Sequence, residues 1–499
     1  MSTRTSSSAN TASFWLGALL MLFAFFTYFW NYTNPPYLYW DENYHIASAQ
    51  KYLNGVYFME PHPPLGKMLI AAGEALINAN DEDDQFIGTD YAKELPAGFS
   101  FKGYRFFPVV LGWLIAPLLY LIFLLITRKP IWAFLLSFLY VFDNALITHS
   151  RAAMLDSTML FFCVGMIALY YLLLKHKNNK NTFPLFSLLF GACFACAMAT
   201  KALALIMVLL VPMILLALKK NFHLISQFLA LSIGAFLIVY IGIWQAHFMM
   251  GTRIISSLPD DGYYQASDEY KALLQRGEVH LPIMIRDNLA FLTHYSKGVP
   301  TLNLCKSDEN GSLFYYWPLG ARSINYRWET PNGAVYKYIT LQVNPVVWGI
   351  ALVSLIATFA LLLGSVLLPG AKPLTYRNEL LFWFGMWTSY MIAISQIDRV
   401  MYLYHYFIPL IFSFMLVAYV FMELSQLGVL KLSESKKNWI LLCGGVCIVI
   451  GFQFFRPLSY YEPMSDAAFR KRMLLPLWNL RCVHCEEVRS IATPILCDN

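Results

Sequence analysis

The chain has 499 residues, of which 58% are hydrophobic and only 13% charged, with 36 Lys and Arg against 30 Asp and Glu. Ordinary soluble domains carry about 25% charged residues, while mean hydropathy here reaches +0.51. These figures exclude a soluble globular enzyme and identify an all-α polytopic membrane protein, in which the net charge of +6 calls for no nucleic-acid partner.

Apolar runs of membrane-spanning length recur along the chain and predict about eleven transmembrane helices. They fall near 13–30, 106–127, 131–148, 155–174, 184–200, 202–218, 223–245, 345–368, 379–397, 402–424 and 438–456. The first lacks a small-residue cleavage site after it and reads as a span rather than a signal peptide. Arg128-Lys129, Lys175 to Lys180, Lys219-Lys220, Lys372 to Arg377 and Lys431 to Lys437 all fall in loops on one side, which the positive-inside rule makes cytoplasmic.

This topology predicts an N-terminal transmembrane catalytic part over 1–245, containing a first external loop at 31–105. An external loop domain at 246–344, a C-terminal transmembrane part at 345–456 and an external tail at 457–499 follow. The first loop is expected to hold helices near 43–53 and 64–78, the second opened by Pro64. In the second external segment, 322–329 and 334–343 flank Pro331-Asn332-Gly333, a β-hairpin signal that predicts a small α/β element. Cys305, Cys482, Cys485 and Cys497 lie outside the spans and are expected to form disulfides of undeducible connectivity, with free thiols, or a metal at the single Cys482-Val-His-Cys485, as the lesser alternatives.

Ionisable residues near a bilayer are costly, so they mark function by default. Asp41 and Glu42 follow the first span, Arg151 and Asp156 flank the turn before the fourth, and Lys201 joins the fifth and sixth. Arg399 lies in the turn before the tenth span, with His405 just inside it. All are expected at one external level. Arg151 and Asp156 could simply pair across their turn, Lys201 could snorkel to headgroups, and His405 could be a packing residue. Taken together they describe a lipid-phosphate site. Arg151, Lys201 and Arg399 would hold the phosphate, which as leaving group gathers charge in glycosyl transfer. Asp41 would take the acceptor's proton, with Glu42 orienting acceptor or backbone. No metal site is spelled.

Trp40-Asp41-Glu42-Asn43-Tyr44-His45, Gly55-Val56-Tyr57-Phe58 and His62-Pro63-Pro64-Leu65-Gly66-Lys67 resemble the first external loop of protein O-mannosyltransferases. Asp143-Asn144, Ser150-Arg151, Leu155-Asp156-Ser157, Lys201, Asn344-Pro345-Val346-Val347-Trp348, Arg399 and Tyr404-His405-Tyr406-Phe407-Ile408-Pro409 continue the resemblance in the same order. It implies a GT-C glycosyltransferase bundle, a polyprenyl- or dolichyl-phosphate mannose donor and inverting transfer to Ser or Thr hydroxyls of exported proteins. It further implies Asp41 at the family's catalytic acidic position, with Glu42 beside it, and Arg151 as the donor-phosphate arginine. Lys201 and Arg399 are softer matches, with His62, Lys67, Asp156 and His405 in support. No metal cofactor is implied, and a dimer is compatible.

Eukaryotic members carry a β-trefoil MIR domain in the long external loop, and 246–344 is too short for one. That points to the inner membrane of a bacterium with the active site facing the periplasm, or to the ER membrane if the source is eukaryotic. Two alternatives stay open. The acceptor could be a lipid or surface glycan, as in aminoarabinose transferases. A secondary transporter would instead place its charges near the bilayer midplane, often within inverted repeats.

Overall fold

A computed structural model describes residues 2–255, 266–306, 309–331, 333, 335–368, 372–427 and 430–481. The protein is a multi-pass membrane protein. Helices cover each of the eleven apolar runs, yet among the described residues seven are long and apolar enough to cross a membrane unaided, or eight with one bent pair. The difference from eleven has local causes. Thr182–Met198 and Ala202–Leu218 are too short, and the latter begins as a 3₁₀ stretch over Ala202–Leu209 before becoming α-helical. Arg377–Ser395 carries Arg377 and Glu379 in its first turn.

The chain forms two compact units. One comprises residues 29–115 and 150–300. Its 31–105 segment holds the helices Glu42–Leu53 and Leu65–Ile77, close to the expected bounds. Ile46, Ala49, Ile70, Ala71, Tyr104 and Leu155 bury their side chains in one cluster that packs both helices. Gly66 allows close approach here, because a Cβ would press on the Leu155 side chain and Thr200. In the same unit the helices Thr182–Met198 and Phe222–Met250 touch backbone to backbone at Gly191, where any Cβ would overlap the Ser232 carbonyl. Ser232 Oγ donates to the Ser187 carbonyl oxygen at 2.9 Å across the same crossing. Small residues admit this contact, as is usual where helices meet in lipid.

The other unit comprises 1–28, 116–149 and 301–499. Its bent pair, Pro130–Val141 and Asn144–Ser150, turns by 63°, and Asp143 sits buried in the bend. That carboxylate accepts hydrogen bonds from the Leu146 amide at 2.9 Å, the Asn344 amide at 3.3 Å and Trp348 Nε1 at 3.0 Å. Asn344 caps the helix Pro345–Leu367 by accepting from the Val346 amide, and its Nδ2 donates to the Phe142 and Ile448 carbonyls. The Asn-Pro-Val-Val-Trp element thereby rivets three helical segments.

The expected hairpin pairs Ile324–Glu329 antiparallel with Tyr336–Leu341, and Pro463–Met464 adds a third strand. Gly333 in the turn takes φ 72°, which favours glycine. The 246–344 segment is thus shared between the units, dividing at 300/301. Cys305 is disulfide-bonded; Cys482, Cys485 and Cys497 lie outside the described residues.

Candidate active site

Asp41 occupies the N-cap position of the helix Glu42–Leu53, but its side chain does not cap the helix. Its backbone carbonyl accepts the first intrahelical bonds, from Tyr44 and His45. The carboxylate is partly exposed and sits at the positive end of the helix dipole.

Glu42 differs in every respect. It is wholly buried, and both oxygens are fully engaged. Oε1 accepts from Arg105 Nε at 2.7 Å and the Ala153 amide at 2.8 Å; Oε2 accepts from Arg105 Nη2 at 2.8 Å and the Tyr39 amide at 3.2 Å. Arg105, buried between the faces of Phe101 and Tyr39, also donates to the carbonyls of Thr33, Pro35 and Tyr37. Together they clamp the chain between the first span and Asp41. Arg105 escapes the sequence reading because an arginine beside an apolar run looks like a span-end anchor.

Arg151 is buried and donates to the Trp30 and Asn31 carbonyls at 2.8 and 2.6 Å. A cation there complements the carbonyl end of the first span. Asp156 does not leave Lys201 to snorkel: Lys201 Nζ lies 2.8 Å from both carboxylate oxygens in a buried ion pair. Lys67 is buried and paired with Glu60, whose other oxygen accepts from Ser48 Oγ at 2.5 Å. Burial lowers the Lys67 pKa, and Glu60 opposes that shift.

Two histidines share this cluster. His45 Nδ1 donates to the Ala153 carbonyl oxygen at 2.7 Å, and burial first, then Lys67, holds the ring's pKa well below the usual imidazole value. His62 is held down in the same way, by burial and then by Lys201 and Lys67. Lys67, Lys201, Asp156, Glu60, His45 and His62 therefore form one ionic cluster in which burial and the neighbouring lysines hold the pKa of both imidazoles down, and Asp41 lies within electrostatic reach of Lys67.

Arg399 and His405 belong to the other unit. Arg399 is partly exposed, with a buried Nε that has no hydrogen-bond partner among the described residues. His405 closes a capping box with Tyr402 and stacks at 4.5 Å on Tyr404. Tyr404 in turn stacks at 4.7 Å on His149, whose Nδ1 shares a 2.7 Å hydrogen bond with the Tyr326 hydroxyl of the hairpin. His149 and Tyr326 are joined only by tertiary folding, and no local pattern announces them. Among the described residues no group of three His, Cys, Asp or Glu is arranged to hold a metal ion.

The fold is that of a GT-C membrane glycosyltransferase. It superposes on a chain of the S. cerevisiae protein O-mannosyltransferase Pmt1-Pmt2 complex bound to the sugar donor, with a TM-score of 0.77 at 16% identity over 94% of this chain and 93% of that one. The family profile described as dolichyl-phosphate-mannose-protein mannosyltransferase matches residues 18–251, and the profile for the C-terminal four TMM region of protein-O-mannosyltransferase matches 281–478. The chain belongs to the protein O-mannosyltransferase family.

Among curated relatives, dolichyl-phosphate-mannose–protein mannosyltransferase 1 of Candida albicans is 34% identical over 32% of this chain and 18% of its own length. Protein O-mannosyl-transferase 2 of Danio rerio is 28% identical over 50% of this chain and 34% of its own. The chain thus matches about a third or less of the length of these relatives.

Proposed function

We propose that this protein is an inverting mannosyltransferase, moving mannose from a polyprenyl- or dolichyl-phosphate donor to Ser or Thr hydroxyls of exported proteins. The observation carrying this reading is a partly exposed carboxylate, Asp41, at a helix N-terminus within electrostatic reach of the Lys67/Lys201/His62 cluster. The relatives are mannosyltransferases by name, which favours mannose, and the yeast complex is bound to the sugar donor.

In the reaction, the acceptor oxygen attacks the anomeric carbon while Asp41 removes its proton. The bond from that carbon to the phosphate oxygen breaks, and lipid phosphate leaves carrying the electron pair. Lys201, with Arg151, stabilises the departing charge, the more so where protein lowers the local dielectric. Asp156 and Glu60 hold the lysines in place before the donor arrives. Neutral His62 offers a hydrogen bond without adding charge. This reading invokes no metal. The shortness of 246–344 favours a bacterial inner membrane with the site facing the periplasm, and the yeast relative's Pmt1-Pmt2 complex favours a dimer as the working assembly.

The test supplies purified protein with polyprenyl-phosphate [³H]mannose and either a Ser/Thr peptide or a lipid acceptor. Label on the peptide hydroxyl with inverted anomeric configuration supports the reading; label on the lipid alone overturns it.

A further inference from the structure

One exposed feature beside Asp41 is unused by the chemistry above. Tyr44, one turn along the same helix, is 48% exposed. Its ring stacks on Tyr91 with centroids 5.5 Å apart and planes 28° from parallel. Lys93 Nζ stands 5.0 Å from the Tyr91 centroid and extends the row. Asp41 is close enough to help raise the Tyr44 hydroxyl's pKa, after burial, and Tyr91 and Asp90 add to the shift.

The rings are not needed to fix the loop that carries Tyr91. The Ala92 amide donates to the Asn43 carbonyl at 2.9 Å, and the buried Lys51 holds Asp90 at 3.1 Å. Thr89 Oγ1 donates to the Tyr91 carbonyl and accepts from the Tyr91 amide. These bonds preorganise a pair of aromatic faces against solvent, where they gain little for the fold. Rigid tyrosines present large contact area at low entropic cost, which suits them to binding a chain that arrives unfolded.

We propose that Tyr44 and Tyr91, with Lys93 at the far end, form a ledge that binds the acceptor polypeptide beside its reacting hydroxyl. A proline or aromatic side chain flanking the Ser or Thr would stack on the rings, and a carboxylate further along would meet Lys93. The proposal rests on the protein-acceptor reading above. The lipid-phosphate donor needs cations, which the Lys67/Lys201 cluster supplies, whereas the ledge offers aromatic faces and a single lysine.

The test uses the full-length protein in nanodiscs, with Thr peptides flanked by Pro or Tyr and an all-Ala-flanked control. Tyr44→Ala/Tyr91→Ala is expected to raise the peptide KM about tenfold, with kcat within about twofold and donor KM unchanged. The preference for ring-flanked peptides should vanish in that variant and return in Tyr44→Phe/Tyr91→Phe. Transfer with unchanged peptide KM overturns the ledge and spares the protein-acceptor reading, as does a fall in kcat alone. If the unaltered protein neither binds nor modifies any peptide, both readings fall.

Discussion

Glu42 and Arg105 meet through two parallel hydrogen bonds of 2.7 and 2.8 Å, and neither side chain is exposed to solvent. Since Glu42 also accepts from two backbone amides and Arg105 donates to three carbonyls, the pair fixes the path of 33–42 and so the position of Asp41. Arg105→Ala leaves a buried carboxylate without its counter-charge and is expected to cost about 3–5 kcal/mol. Thermal unfolding in detergent checks this. Arg105→Lys cannot supply the fork and should recover only part of the loss.

Asp41→Asn keeps the shape of the helix start and removes the base. Transfer should fall by about 10²–10⁴, with unfolding temperature and donor binding unchanged. A radiolabel-transfer assay beside a donor-binding measurement separates these, and near-normal turnover would remove Asp41 from its role.

Lys201 and Asp156 make a double-mutant cycle. Lys201→Met alone leaves Asp156 charged and buried, so it should both unfold more easily and use donor poorly. Asp156→Asn added to it is expected to restore much of the stability, about 1–3 kcal/mol, but none of the donor affinity. Recovery of donor use in the double variant would contradict the assignment of Lys201 to the phosphate.

The neutral histidines set an acid limit. Burial depresses the folded-state pKa of His45 and His62 below the ordinary imidazole value of about 6.5. Above that value neither state binds the proton and stability is complete. As pH falls below it, only the unfolded state takes up protons, and stability is lost until pH passes the depressed folded value. Each histidine contributes a slope of up to about 1.4 kcal/mol per pH unit. Inactivation temperatures between pH 7 and pH 5 should drop less steeply for His45→Gln/His62→Gln than for the unaltered protein.

The helices of the 31–105 segment were legible because their evidence is local. Pro64 marks the start of the second, and the helices Glu42–Leu53 and Leu65–Ile77 fall close to the expected 43–53 and 64–78. For Asp41 and Glu42 only a difference of role was legible, proton acceptor against orienting neighbour. That Glu42 faces Arg105 depends on a residue 63 positions away. Lys201's partner, the Asp143 rivet and the His149–Tyr326 bond are likewise set by tertiary folding. The count of spans suffered from the opposite problem, since hydropathy registers apolarity but not the 3₁₀ winding of Ala202–Leu209.

The contact at Gly191 reaches further than its own helix. With no room for even a methyl group against Ser232, the helices Thr182–Met198 and Phe222–Met250 behave as a single stiff strut, and Lys201 is mounted just past the end of the first of them. A side chain at Gly191 would wedge the strut open and carry the ammonium away from Asp156. Inherited variation at this buried, chemically silent position would therefore present as an enzyme defect, though no reacting atom had been touched.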